Sequence, residues 1–493
     1  MMSDWPIRKI SDVADFLNNK RIPLKSLDRQ KRQGPYPYYG ASGIVDYIDD
    51  YIFDGTFLLI SEDGENLRTR NTPIAFKASG KFWVNNHAHI LAEKEEGILD
   101  YLEYYFSKLD LTPYITGAVQ PKLNKANLDR IEIPVPEKDE RLEINKVLNS
   151  LSDKIELNRQ TNQTLDQIAQ AIFKSWFVDF EPVKAKVIAR EKGGNELAQS
   201  LAAQAILCGA ITLEQLQEME PDYQGLEAQL HPLITERFPP QGLDYWTPES
   251  LQSVADQFPG EMVDAAQGSA NVTGGRTPGV TSELGEIPEG WCVSDLKAVT
   301  TELRRGISPK YTEENGIQVV NQKCIRNHSI NFELTRMNDP LKRKVDGRQV
   351  EVGDVLVNST GVGTLGRLAP VRYLPDQVVF DSHVTVVRAD TEVISKSFLI
   401  ELMIVKESFI EASGAGSTGQ TELRKEVLQD IKFVKPPMEL GIRFDKIIEP
   451  MSVQIAELEQ QQKVLAQLRD TFLPKLLSGE IALNASLSKE AIP

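Results

Sequence analysis

The chain has 493 residues, of which 41% are apolar and 26% charged, a composition ordinary for folded globular protein divided into roughly two to four domains. No apolar run approaches the ~20 residues needed to cross a bilayer, and the opening stretch lacks the basic-then-apolar pattern of a signal peptide. Cys208, Cys292 and Cys324 are odd in number and far apart, which argues against a disulfide framework or zinc knuckle and for a reducing, cytoplasmic setting.

The formal net charge of −16 speaks against a nucleic-acid partner until its distribution is considered. Residues 183–290 carry 16 acidic against 6 basic side chains, a balance of −10. Residues 1–136 have 17 basic against 19 acidic, and residues 291–436 have 20 against 19. Acidity is thus concentrated in one connecting segment, and two near-neutral segments remain free to present local basic patches.

Residues 1–136 form a first head. Short β-like runs (Thr56–Ile60, Phe76) separated by Gly, Asp and Asn turns precede a helix-like patch at Ile98–Leu109. A long helix occupies residues 137–182, after the Pro134/Pro136 break. Its positions Ile144, Leu148, Leu151, Ile155, Asn158, Asn162, Leu165, Ala169 and Ile172 alternate in steps of four and three, a heptad seam. Asn158 and Asn162 either fix register within that seam or face solvent where it wanders. The acidic segment 183–290 is helical over Ala198–Glu220 and dense in Pro, Gly, Ser and Gln over Phe238–Gly290, which reads as a partly ordered connector.

A second head spans residues 291–436, with runs at Val355–Val357, Val378–Phe380 and Val384–Val387 and a helix-like patch at Ser395–Ile410. A second long helix follows over 437–482, its seam formed by Phe444, Ile448, Met451, Ile455, Leu458, Gln462, Leu465, Arg469 and Phe472, before a tail at 483–493. Pro450 should kink this helix or mark its true start.

The two halves repeat one another. At an offset of 300, Leu128 faces Leu428, Ile131 faces Ile431, Ile155 faces Ile455 and Leu165 faces Leu465 without a gap. At the fronts the offset is 286, with Trp5 facing Trp291 and Pro23 facing Pro309, so the second head is longer in its middle. An apolar seam about 40 residues long would span roughly 60 Å and must be covered; the other copy is its best partner. Two-fold packing favours an antiparallel pair, and a parallel pair is the alternative. The fold class expected is α+β, with two pseudo-symmetric α/β heads separated by two long helices packed as an antiparallel coiled coil.

Catalytic signatures are missing from the sequence. Gly361-Val-Gly-Thr-Leu-Gly366 satisfies a dinucleotide fingerprint, but Leu368-Ala-Pro370 cannot open the helix such a site requires. His87, His89 and His383 lack further ligand-type neighbours at metal-binding spacing, so polar roles or a base contact are expected of them. Neither Pro-Pro pair sits in the Asn/Asp-Pro-Pro-aromatic setting of a DNA methylase, and no nuclease-like Asp…Glu-x-Lys cluster stands out.

Binding surface remains. In the first head Lys20, Arg21, Lys31 and Arg32 lead into Tyr36, Tyr38, Tyr39 and Ser42, with Gln120 and Lys122 further on. In the second, Arg304, Arg305, Gln322, Lys323, Arg326, Arg367 and Gln420 are the candidates. Arg and Lys reach phosphates and guanine edges, and Asn and Gln read adenine. The plainer alternative for any one basic run is a solvated face.

The chain resembles the specificity subunits of type I restriction–modification systems along essentially its whole length. The resemblance rests on Gln120-Pro-Lys-Leu-Asn and Gln420-Thr-Glu-Leu, on Pro35-Tyr-Pro-Tyr-Tyr-Gly-Ala-Ser-Gly43, on Ala171-Ile-Phe-Lys-Ser-Trp-Phe-Val-Asp-Phe180, on Ile287-Pro-Glu-Gly-Trp291 and on Leu476-Leu-Ser-Gly-Glu480. It implies two target-recognition domains that each read half of a split DNA site, with the paired helices as spacer. It also implies no active site in this chain, two adenine methyltransferase subunits as partners, and ATP-dependent translocating nuclease subunits for cleavage. S-adenosylmethionine, ATP and magnesium would then belong to the partners. The long acidic connector departs from the family pattern and puts a short join between the helices in doubt.

Overall fold

The computed structural model describes residues 4–117, 119–221, 225–237, 247–265, 285–414 and 422–481. It divides into two compact units, the first built from two pieces distant in sequence and the second from one continuous stretch. The first contains residues 1–159 and 460–493, and the second residues 160–459.

The head of the first unit is a six-stranded sheet. Its strands are β1 (Ala14–Phe16), β2 (Gln33–Gly40), β3 (Gly43–Ile48), β4 (Phe53–Ser61), β5 (Ala75–Val84) and β6 (Ala88–Glu93), in the spatial order β1-β6-β4-β5-β2-β3. Neighbours are antiparallel except β2 and β5. Leu58, Ile60 and Leu91 face the helix Ile98–Lys108 and share its core with Ile98, Leu102 and Phe106. The period-two alternation sends Leu59 and Ile90 to the other face, against Phe53 and Phe82.

The head of the second unit keeps part of this plan. Strands β7 (Thr300–Arg305), β8 (Ile317–Val320), β9 (Ile325–Arg326), β10 (Ser329–Ile330), β11 (Val355–Asn358), β12 (Leu368–Pro370), β13 (Val378–Phe380) and β14 (Val384–Ala389) include a sheet of order β7-β14-β11-β12. That order repeats β1-β6-β4-β5 of the first head. The β2-β3 portion has no such copy. In its place β8 pairs in parallel with β13, and with Arg336–Asn338 on its other edge, in a second four-stranded sheet.

The two long helices run Lys138–Phe177 and Met438–Leu477. They are antiparallel, because within each unit the early half of one meets the late half of the other. In the first unit Ile144 and Leu148 share a core with Leu473, Leu476 and Leu477, and Asn158 Nδ2 donates to Gln461 Oε1 at 3.3 Å. In the second unit Phe173 lies 6.0 Å from Phe444, and Asn162 Nδ2 reaches the Ile455 carbonyl at 3.5 Å. Both asparagines therefore face the other helix, and Asn158 is buried.

The seam differs from the expected heptad at one end. Ile144, Leu148 and Ile455 are buried, and Leu151, Ile155, Leu165 and Phe472 are half-buried. Towards the end of the first helix, however, the fully buried residue is Phe173, and Ile172 only packs on the edge of that core. An α-helix turns every 3.6 residues, so a 3.5-residue stripe drifts off the buried face. Pro450 does not mark a start: its helix begins at Met438 and continues to Leu477 with the proline inside.

The sequence blocks Ala171–Phe180 and Ile287–Trp291 meet in one aromatic core of the second unit. Phe173 contacts Phe398 at 5.1 Å, Trp176 contacts Phe258 at 5.5 Å, and Phe177 contacts Trp291 at 5.9 Å.

The described part of the acidic segment is folded, with helices extending beyond the expected Ala198–Glu220 stretch. Helices Glu181–Glu191, Glu196–Leu207, Leu213–Glu218, Leu226–Arg237 and Pro248–Ala255 enclose a core of Ala198, Leu201, Leu216, Leu230 and Leu251. Asn195, Thr212 and Thr247 cap three of them, each side chain accepting an amide hydrogen three residues on. Residues 238–246 and 266–284 of the expected partly ordered stretch lie outside the described residues, as do Gln420 and the tail 483–493.

Within the second unit an ionic network fastens head to helices. Arg372 donates to Asp166 Oδ1 at 2.6 Å and to the His328 carbonyl at 2.8 Å, and His328 Nε2 lies 2.7 Å from Glu407 Oε2. Beside it Glu401 is only 3% exposed, with one carboxyl oxygen unpartnered. Burial, then the Asp166 charge, pushes the Glu401 carboxyl up to about 8, with Arg372 and His328 opposing.

Two predictions follow from this packing. Phe173→Ala should destabilise the second unit by about 3–5 kcal/mol, the usual cost of emptying an aromatic core site, whereas Leu151→Ala at its half-buried position should cost clearly less; urea unfolding followed by tryptophan fluorescence checks the difference. Glu401 holds its proton more tightly folded than unfolded. Its contribution is therefore complete below the ordinary value of 4.5 and is lost as pH rises towards about 8. The melting temperature of Glu401→Gln should gain on that of the parent protein across pH 5–9, and a pH-independent difference would show that the carboxyl is not held neutral.

Candidate nucleic-acid interface

Several candidate residues converge where the central strand of each shared sheet ends. In the first head β4 ends at Ser61, whose hydroxyl donates to the Ala41 carbonyl at 2.5 Å, drawing in the Ala41–Ser42 turn between β2 and β3. The next amide, Glu62 N, donates to the His87 carbonyl at 2.8 Å, and the Glu62 carbonyl accepts from Leu123 N at 2.8 Å. Asp63 bridges to Lys122 in antiparallel fashion. The edge formed in this way displays Ser42, His87, Gln120 and Lys122, all exposed.

The second head repeats the arrangement bond for bond. After β11, Ser359 N donates to the His383 carbonyl at 2.8 Å, and the Ser359 carbonyl accepts from Leu423 N at 2.9 Å. Thr360 bridges to Glu422. Gln322 joins this edge, with Thr360 Oγ1 3.3 Å from its Oε1 and Asn358 Nδ2 donating to its carbonyl at 3.1 Å. Lys323 beside it is exposed. The paired backbone bonds make His87 the counterpart of His383, Asp63 that of Thr360, and Lys122 that of Glu422.

Side chains behind the edge hold it in place. His89 is buried, takes a hydrogen bond from Asn18 Nδ2 at Nδ1 (2.8 Å) and donates from Nε2 to the Leu123 carbonyl at 2.7 Å. Burial keeps its pKa below the usual histidine range, so it serves as a neutral strut. Glu62 feels burial pushing its carboxyl up, but the hydrogen bond from Arg21 and the charges of Arg21 and Lys122 outweigh it and hold it below the ordinary range. In the second head Arg305 does the work of His89, donating to the Leu423 carbonyl at 2.9 Å and to Glu422 Oε1 at 2.5 Å.

Several residues expected to contact a ligand are occupied inside the protein. Arg21 donates to Glu62 at 2.7 Å and to the Ala88 carbonyl at 2.8 Å. Arg32 pairs with Asp49 at 2.9 Å and lies over the Trp83 ring. Arg304 is held by Glu302 and the Gly347 carbonyl. Tyr38 is buried beneath Arg29, its hydroxyl accepting from Leu24 N at 3.0 Å, and Tyr39 packs between Phe76 and Phe82. Tyr36 leans on Tyr51. The basic run is thus largely neutralised by acids distant in sequence. Lys20 and Lys31 remain exposed, as does Arg326 at a β9–β10 turn made by Asn327 and His328, both with left-handed backbone. Arg367 is half-buried. Among the described residues, no group of three or more His, Cys, Asp or Glu could hold a metal ion, and no helix is long and apolar enough to cross a membrane.

Two α/β heads with one shared edge geometry, fastened to an antiparallel pair of repeated helices, define a two-headed recognition scaffold. Residues 2–167 match the type I restriction modification DNA specificity domain family. A protein of Haemophilus influenzae described as a type I restriction enzyme specificity subunit is 39% identical over 149 residues, 30% of this chain and 37% of that relative. The HindI specificity subunit of the same organism is 25% identical over 519 residues, covering 97% of this chain and all of the relative. The solved S subunit of a type I system from M. genitalium shares the fold, with a TM-score of 0.52 and 13% identity over 96% of each chain. The N-terminal third of the chain thus matches that family, and the chain along its length is similar to specificity subunits of type I restriction–modification systems.

The internal role of Arg21 has a measurable consequence. Arg21→Met should lower the stability of the first unit by about 1–3 kcal/mol, because it strands Glu62 and a buried carbonyl, while Lys20→Met should be nearly neutral; thermal melting of the two variants separates these roles.

Proposed function

We propose that this chain is the DNA-reading subunit of a type I assembly, each head recognising one half of a bipartite site. The observation that carries this reading is the doubled edge, a rigid backbone frame presenting exposed polar side chains that differ between the heads. Phosphate contacts would set position, and side chains at the edge would meet base edges. Two short edges in one chain gain from effective concentration once either is bound.

In this reading the chain carries no catalysis of its own. Two methyltransferase subunits, holding S-adenosylmethionine, modify adenine within the site, and restriction subunits consume ATP with magnesium to translocate and cut. The assembly works in the cytoplasm. A target base must leave the duplex stack before methylation, and the reader's part is to fix which base is presented.

Sequencing the host's methylated bases with and without this gene tests the proposal. Deletion should abolish one split, adenine-methylated motif, and restoring the gene should restore it. An unchanged methylation pattern would refute the assignment.

A further inference from the structure

The geometry points to His87 and His383 as equivalent nucleic-acid contacts, one per head, whose differing neighbours make the two half-sites different. This inference rests on the DNA-reading role proposed above and adds to it the residues that discriminate.

Each histidine occupies the first exposed position beyond the paired end of its strand, β6 or β14. Each has its carbonyl tied to the end of the neighbouring central strand, so the backbone cannot drift. Each ring is oriented through Nδ1. In His87 that atom lies 2.8 and 2.9 Å from the two Asp63 carboxylate oxygens, and in His383 it lies 2.8 Å from Thr360 Oγ1. A carboxylate only accepts, so His87 Nδ1 carries the proton. Nε2 of each ring has no hydrogen-bond partner among the described residues, although 47% of the His87 side chain is exposed. An imidazole fixed at one nitrogen and open at the other is what a contact to a base edge or phosphate requires, since little rotamer freedom remains to be lost on binding.

The neighbours set the difference. His87 stands with Asp63 and with Lys122, which lies 3.4 Å from Glu62 yet is 51% exposed and can also approach a phosphate. His383 stands with the neutral Thr360 and with Glu422, which is paired with Arg305 at 2.5 Å yet 59% exposed, so that its carboxylate can also accept from a cytosine amino group. One frame therefore puts a lysine and an aspartate beside the first histidine, and a glutamate and a neutral threonine beside the second.

The test uses the full chain in complex with its methyltransferase subunits and duplexes in which each base pair of the native motif is replaced in turn. His87→Ala should weaken discrimination in one half of the motif by ~10-fold or more while sparing the other half, and His383→Ala should do the reverse. Lys122→Glu should flatten the salt dependence of binding, whereas Glu422→Gln should relax base choice in its half. Melting temperatures of the histidine variants should match the parent protein, and His87→Gln and His383→Gln repeat the comparison with a polar tip retained. Wild-type discrimination in all histidine variants, or the same half weakened by both, would overturn the inference. If the unaltered complex itself shows no motif, the DNA-reading role fails and this inference with it.

Discussion

Each of the two repeated helices carries one apolar stripe along forty residues, and water cannot be allowed to wet it. A single helix of that length is marginal by its own hydrogen bonds, so its stability comes from covering the stripe. The other helix supplies the cover, and because the pair is antiparallel, each compact unit is assembled from the two ends of long sequence intervals. Residues 460–477 complete the core built by Ile144 and Leu148, and residues 438–459 join the core built by Phe173 and Trp176. The entropy of closing such intervals grows only logarithmically with length, which is why a folded acidic segment and an entire second head can lie between the helices. Buried Asn158 is bonded to Gln461 of the facing helix. A slip of one heptad would leave the Asn158 amide buried without that partner, so the pair fixes register at some cost in stability.

With the helices placed, the heads need only hold a small edge steady. The shared part of each head is mostly backbone: the four-strand order, the amide bonded to a histidine carbonyl, and the leucine amide bonded to the end of the central strand. Backbone bonds do not depend on side-chain identity, so the frame persists while its side chains change. The struts show this freedom directly. A neutral buried histidine holds the Leu123 carbonyl in one head, and an arginine holds the Leu423 carbonyl in the other. Such a frame can carry different words without being rebuilt.

The helices and the doubled architecture were legible in the sequence because they rest on period and spacing, which are local. The seam failed locally at Ile172, where helical geometry moved Phe173 into the core. Of the two alternatives at Pro450, a kink or a start, the start is excluded, since the helix runs from Met438 through the proline to Leu477. The candidate edge was only partly legible. Ser42, Gln120, Lys122 and Gln322 were named from composition, and the structure brings them to the two edges. Arg21, Arg32, Arg304 and Tyr38 looked equally suitable, and nothing local shows that Glu62, Asp49, Glu302 and Leu24 would claim them. The histidine correspondence was hidden for a different reason. His87 and His383 differ by 296 positions, between the offsets of 286 and 300 that align the flanks, so neither register pairs them. Only the sheet does.

The charge distribution then takes on a mechanical sense. A reader of DNA must lower its affinity for any phosphate backbone while keeping affinity for the right one, because non-specific contacts are electrostatic and abundant. Here most arginines near the edges are already paired with acids and contribute orientation rather than free charge, as Arg21, Arg32 and Arg305 do. Most of the excess acidity, −10 of the −16, lies in residues 183–290, outside both heads. Each head alone would then bind weakly, and binding becomes strong only when both edges find their half-sites on one duplex, since the second contact is made at the effective concentration that the chain imposes. Under the DNA-reading role, weak single heads are an advantage, because a lone half-site in bulk DNA cannot hold the protein.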